Sequence, residues 1–357
     1  MRKSAAAKSN VRVRAAVERM RAYHPPLEGR TEKLRMDFNE NPIGCSPAVR
    51  RALAKLTSAT ISAYPEQGTV RKKLARHFGV DASELLLTNG TDEALSLVVN
   101  TFVEPCDTVL LVEPTYAMYR FYSELAGARI VAPRYDARMQ FPRDEVLAAL
   151  RKAPRVFFLP NPNSPIGGIL SLGEIRRLLK AAPRTVIVVD EAYFEFSGVT
   201  AIPWIRRYEN LIVTRTFSKT AGLAGLRLGC IFVRRELAAA MRKAQSPYPV
   251  NAAALAAAEA AIEDGAFIRR TVREVRQGKK ELAKGLARLG VKHFPSAGNF
   301  VLLYFGGRAK EIVAALTRKS ILVRDRSSDF GGEGYVRITL GTLAQTRRFL
   351  RELKAIL

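Results

Sequence analysis

Between Glu84 and Val233, short apolar runs alternate with helix-forming stretches, and few folds accept that rhythm. The runs are Glu84 to Thr88, Thr108 to Val112, Arg129 to Ala132, Arg155 to Leu159, Thr185 to Val189, Asn210 to Thr214 and Leu228 to Val233. They are apolar on both faces, as strands covered by helices on either side must be. Helices are predicted over Thr91 to Val103, up to Leu125, over Arg143 to Lys152 and over Leu172 to Ala181. The result is a layered α/β domain on a mostly parallel sheet of seven strands. Ligands of such sheets bind beyond the carboxyl ends of the strands. Asn89, Tyr116, Asn163, Asp190 and Lys219 all fall at those ends.

Two of these residues are chemically demanding. Lys219 follows the run Leu211-Ile212-Val213 and precedes the Gly-rich segment Ala221 to Arg227. An unpaired ammonium is costly to desolvate. A Schiff base with an aldehyde cofactor is one chemistry that needs a lysine there. A surface lysine at a strand end is the plain alternative. Asp190 follows four apolar strand residues, and a buried carboxylate needs a cationic partner.

The rest of the chain frames this domain. Residues 1–35 read as an arm leading into a short helix, broken at Tyr23-His24-Pro25-Pro26. A helix is predicted over Pro47 to Leu56, with Ser46 as its cap, and another over Val70 to Phe78, stopped by Gly79. Residues 36–250 form the large domain and 251–357 a smaller α+β domain. In the smaller domain, Asn251 to Leu289 reads as one long Ala-rich helical spine. Strands are predicted over Ala297 to Tyr304, Ile321 to Arg324 and Tyr335 to Thr339, with helices over Ala309 to Thr317 and Leu343 to Ile356.

Composition removes several function classes. The chain has 357 residues and is 48% hydrophobic, enough for a large core. No apolar run is long enough to cross a bilayer. The basic N-terminus, Met1 to Asn10, lacks the apolar core of a secretory signal. Three cysteines and three histidines lie far apart, so neither a disulfide framework nor a metal site is expected, which fits a reducing cytoplasm. The net charge of +25 raises nucleic-acid binding as a rival. The cations are spread along the chain, however, with no basic motif interleaved with aromatics. The charge is read as solubility and attraction to anionic substrates, not as a nucleic-acid site.

From Tyr23 to the C-terminus the residues resemble fold-type-I pyridoxal-5′-phosphate aminotransferases, and among them the histidinol-phosphate aminotransferases. The resemblance rests on Asn39-Glu40-Asn41-Pro42, Tyr64-Pro65, Gly90-Thr91-Asp92-Glu93, Pro114-Thr115-Tyr116, Asn161-Pro162-Asn163, Asp190-Glu191-Ala192-Tyr193, Ser218-Lys219, Gly225-Leu226-Arg227 and Val336-Arg337-Ile338-Thr339, in that order.

The resemblance implies the following roles. Lys219 holds the cofactor as a Schiff base and shuttles a proton. Asp190 pairs with the pyridine nitrogen, and Tyr193 donates to the ring's phenolate oxygen. Gly90, Thr91, Asp92, Thr216, Ser218 and Arg227 surround the phosphate, joined by Tyr64 from a second subunit. That last contact implies a homodimer with shared active sites. Tyr116 stacks on the ring. Where the family often carries Asn-Pro-Thr-Gly, this chain has Ser164-Pro165-Ile166-Gly167. Ser164, Asn163 or Asn161 then takes the usual asparagine's role, or Tyr193 acts alone. Tyr23, Asn39, Asn299, Arg324 and Arg337 match substrate-binding positions.

The expected reaction is transfer of an amino group from L-histidinol phosphate, a small-molecule donor, to the 2-oxo acid 2-oxoglutarate. An aromatic amino acid aminotransferase and a threonine-phosphate decarboxylase share the fold and are its rivals. A basic nucleic-acid-binding protein on a vestigial aminotransferase fold is the rival of a different class.

Overall fold

The computed structural model describes residues 11–22, 26–332 and 334–357. Residues 1–10 of the expected arm lie outside that range. A seven-stranded sheet runs in the order Leu85–Asn89, Leu228–Val233, Leu211–Thr216, Val186–Asp190, Val156–Pro160, Thr108–Leu110 and Arg129–Val131. Leu228–Val233 is antiparallel to both neighbours. All the other pairs are parallel. Alternate residues of single strands enter two different cores. Leu85, Leu87, Phe157 and Val189 pack on one face, and Leu86, Phe158 and Val188 on the other. That division is the two-residue period of a strand buried on both sides.

Local signals set the helix ends. The Ser46 hydroxyl accepts from Val49 N at 3.2 Å, capping Pro47–Ala54. Gly79 takes φ +72 and ends Gly68–Phe78. Ser171 and Glu174 form a reciprocal capping box at the start of Leu172–Ala181.

The single spine expected from Asn251 to Leu289 is two helices, Ala252–Glu263 and Gly265–Arg288. Asp264 breaks it. Its backbone leaves the helical region (φ −93, ψ 58), and its carboxylate accepts from Phe267 N at 3.0 Å. An Asp-Gly pair favours a new cap over one more helical turn. Ala254, Leu255 and Ala258 pack into the core of the large sheet. Val275, Leu282 and Leu286 pack into a separate core with Phe349 and Leu353.

That separate core is covered by an antiparallel sheet in the order Arg324–Asp325, Tyr335–Thr339, Phe300–Tyr304 and Lys292–Phe294. Residues 297–299, expected as strand, are loop, whereas Lys292–Phe294 is an additional strand. The expected strand Ile321 to Arg324 divides at Val323. Its first part, Ile321–Leu322, pairs in parallel with Leu34–Arg35. Leu34 and Met36 therefore pack with the C-terminal core. From Met36 the chain runs toward the large sheet, where Asn41 Nδ2 donates to Thr220 O at 2.9 Å.

Candidate active site

Asp190 ends its strand level with Thr214 on one side and Pro160 on the other. It is 4% exposed. One carboxylate oxygen accepts from the Tyr119 hydroxyl at 2.6 Å, the other from Ala192 N at 3.1 Å. Neither donor is cationic. Burial raises the Asp190 pKa, and the Tyr119 hydrogen bond opposes that rise. Tyr119 is pushed up in turn, first by its own burial and then by the carboxylate.

Lys219 lies just beyond the adjacent strand, Leu211–Thr216. Its ammonium donates to Phe38 O at 3.1 Å and sits 5.8 Å from the centre of the Tyr193 ring. The Tyr193 hydroxyl accepts from Asn39 Nδ2 at 2.8 Å, and its ring meets Phe300 edge-on at 5.1 Å. Asn39 itself holds a left-handed backbone, φ 54, which asparagine tolerates.

On the other side, Gly90 opens the helix Gly90–Phe102 with φ +74. A β-carbon there would stand 2.5 Å from Arg227 Nη2, so the position needs glycine for space as well as for backbone. Arg227 donates to Asp92 Oδ2 at 2.8 Å and to Ala224 O at 3.3 Å. The Tyr116 hydroxyl donates to the other Asp92 oxygen at 2.7 Å. Tyr116 also meets Tyr119 edge-on at 5.6 Å. Arg227, Asp92, Tyr116, Tyr119 and Asp190 thus form one continuous line. Thr91 Oγ1 beside it is buried without a hydrogen-bond partner among the described residues. Thr216 Oγ1 accepts from Ser218 N at 3.1 Å. A guanidinium beside a helix start is a natural anion cradle.

The C-terminal sheet closes the site. Arg337 is 8% exposed and donates to Ser164 Oγ at 3.1 Å and to Asp37 O. Arg324 lies opposite Arg337 in the sheet, with its guanidinium 5.6 Å from the Phe38 ring. Thr339 Oγ1 accepts from Asn39 N at 2.9 Å. Asn299 Nδ2 donates to Asn39 O at 3.1 Å, while its Oδ1 is buried with no partner among the described residues.

Some expected residues point elsewhere. Asn161 spends its amide on the backbone of Leu170, and Asn163 on Thr115 and Pro114 O. Tyr64 is 75% exposed and stacks on Tyr248 at 4.1 Å. Tyr23 lies outside the described residues. Two participants went unforeseen: Tyr119 and the Phe38 carbonyl. Tyr119 lies three positions after Tyr116, the residue capping its helix, and the two rings meet.

A family model described as aminotransferase class I and II matches residues 31–353. The chain belongs to the class I and II aminotransferases. A histidinol-phosphate aminotransferase of Symbiobacterium thermophilum is 39% identical to this aminotransferase, over 97% of this chain and 98% of the relative. The crystal structure of histidinol-phosphate aminotransferase from Sinorhizobium meliloti, in complex with pyridoxal-5′-phosphate, superposes with a TM-score of 0.88. It is 25% identical and 98% of each chain is covered. L-threonine-O-3-phosphate decarboxylase from Porphyromonas gingivalis superposes with a TM-score of 0.80 at 27% identity, over 90% of this chain and 98% of that one.

Proposed function

We propose that this aminotransferase uses pyridoxal-5′-phosphate to move an amino group from L-histidinol phosphate to 2-oxoglutarate. One observation carries the cofactor. Asp190 is a buried carboxylate with no cationic partner among the described residues, on the strand next to the one that leads to Lys219. A protonated pyridine nitrogen supplies the missing charge. The unpartnered Thr91 hydroxyl and the Arg227 guanidinium, at the start of the helix Gly90–Phe102, fit the cofactor's phosphate.

When bound, the cofactor supplies an aldehyde that takes up the amino group and a ring that spreads the charge left on the substrate carbon. The chain's own groups do the rest. Lys219 Nζ would hold the cofactor's aldehyde and would carry a proton to and from the substrate Cα. Asp190 holds the ring nitrogen protonated, with Tyr119 fixing the carboxylate's orientation. Tyr193, oriented by Asn39, hydrogen-bonds the ring's phenolic oxygen. Gly90, Thr91, Asp92, Ser218 and Arg227 bind the phosphate. Arg337 and Arg324 bind the anionic end of the substrate, where a planar fork suits carboxylate and phosphate alike.

The exposed Tyr64–Tyr248 stack, with the exposed Ile61 nearby in sequence, supports a homodimer in which Tyr64 reaches the neighbouring site. Three free, scattered cysteines suit the cytoplasm. No helix among the described residues is long and apolar enough to cross a membrane.

Steady-state kinetics on histidinol phosphate, phenylalanine, tyrosine and threonine phosphate test the substrate. Histidinol phosphate is expected to give the highest kcat/KM with 2-oxoglutarate. A higher value for an aromatic amino acid, or release of carbon dioxide from threonine phosphate, would replace this substrate.

A further inference from the structure

The C-terminal sheet carries a third arginine toward the same side as Arg324 and Arg337. Arg324 is paired with Arg337 across the sheet, so their side chains share a face. Arg326 is two positions further along, and its backbone N–H still bonds Tyr335 O at 2.8 Å. Two-residue spacing returns its side chain to that face. Tyr335 and Arg337 alternate in the same way on the partner strand. Phe300, which touches both Tyr193 and the Arg337 guanidinium, shows that this face looks into the site.

Arg326 meets one acid among the described residues, Asp329, in an ion pair one short turn on. The pair is largely buried, with side-chain exposures of 11% and 24%. The pairing is incomplete: Arg326 Nε is buried without a hydrogen-bond partner among the described residues. Buried groups left in that state carry a desolvation cost. Burial raises the Asp329 pKa, while Arg326, and then Arg337 and Arg324, lower it, so the carboxylate sits within the field of all three guanidinium groups. The turn itself is pinned. Asp329 N bonds Arg326 O at 3.0 Å, and Arg134 donates to Asp329 O at 2.6 Å. Ser327 Oγ accepts from Gly334 N at 3.0 Å, and Phe330 stacks on Tyr335 at 4.0 Å. The carboxylate, not the loop, is the part free to yield.

Given the substrate reading above, on which this inference rests, we propose that Asp329 is a tethered counter-anion in the tail-binding site, displaced from Arg326 by a phosphate dianion. The selectivity follows from charge arithmetic. Exchanging Asp329 for a substrate carboxylate swaps one negative charge for another and gains little. Exchanging it for a phosphate monoester, at about −1.5 to −2, adds further charge beside three guanidinium groups. Asp329 therefore disfavours singly charged tails more than doubly charged ones, and Arg326 joins Arg324 and Arg337 as a phosphate contact.

The test compares wild type with Asp329→Asn and Asp329→Glu, using sulfate, a dianion, and acetate, a monoanion, as probes of the site. In a thermal-shift titration of the cofactor-loaded enzyme, the sulfate concentration for half-maximal stabilisation should fall on the order of tenfold in Asp329→Asn. The preference for sulfate over acetate should shrink, and Asp329→Glu should behave as wild type. In kinetics, the KM for histidinol phosphate should fall in Asp329→Asn while kcat changes less. Should Asp329→Asn not fold, Arg326→Gln serves instead, with sulfate binding expected to weaken. Unchanged sulfate binding in whichever variant is read, or equal behaviour of the Asn and Glu variants, overturns the proposal. An enzyme that ignores histidinol phosphate overturns the substrate reading alone, because the sulfate titration needs no turnover.

Discussion

Burial of Asp190 beneath the Tyr119 hydroxyl has a consequence that can be measured without any reaction. Its carboxyl holds a proton more tightly in the folded, cofactor-free protein than in the unfolded chain, because desolvation outweighs the hydrogen bonds. An acid with a raised folded pKa contributes stability at low pH, and that contribution is lost as pH rises through the raised value. Glu191 and Glu195 are also pushed up by burial, so wild type alone would not isolate Asp190. Asp190→Asn does isolate it. Freed of cofactor, the variant should melt above wild type at neutral pH, by about 2 °C or more, and level with it at acid pH. With cofactor added, the order should reverse, since only the carboxylate can pair with a protonated ring nitrogen. A variant less stable than wild type at every pH without cofactor would mean that the carboxylate is satisfied by the protein alone.

Elements place these residues, and some of that placement was legible beforehand. Leu172–Ala181 and Leu228–Val233 occur where expected, because Ser171 caps the first and an unbroken apolar run defines the second. The spine was misread because alanine spacing continues through Asp264, while one cap decides the break. Lys292–Phe294 is three residues long and gains its strand geometry from pairing with Phe300–Tyr304, which no local pattern announces. At the site, strand-end positions were legible because a parallel sheet puts ligands there. Tyr119 was not, since a tyrosine within an amphipathic helix reads as core until its hydroxyl is seen on Asp190. The helix start at Gly90 yields a prediction at this scale. Gly90→Ala forces a left-handed backbone on alanine, at about 1–2 kcal/mol, and drives its methyl into Arg227. Cofactor affinity should fall by at least tenfold in equilibrium dialysis, with global stability lowered only by the backbone term. Retained affinity would mean that Arg227 does not depend on that space.

At the scale of the molecule, the proposed role of Tyr64 at the phosphate has to be reconciled with its exposure. Its ring lies on Tyr248 at the surface, and the residue is 75% exposed. An exposed aromatic pair is what the proposed dimer would cover. The proposed homodimer covers it with a second copy and sends Tyr64 to the other protomer's phosphate. Complementation separates this from a role within one chain. A Lys219→Ala protomer keeps its own Tyr64, and a Tyr64→Ala protomer keeps its own Lys219. In a mixed dimer, the site built on the intact Lys219 receives the intact Tyr64 from its neighbour, while the other site has neither. One full site is then restored, although each parent homodimer is impaired at both. Activity should reappear when the two variants are unfolded and refolded together, and sedimentation should show a dimer throughout. If Tyr64 served its own chain, the intact Lys219 would always sit beside the mutated position 64, and mixing would restore nothing.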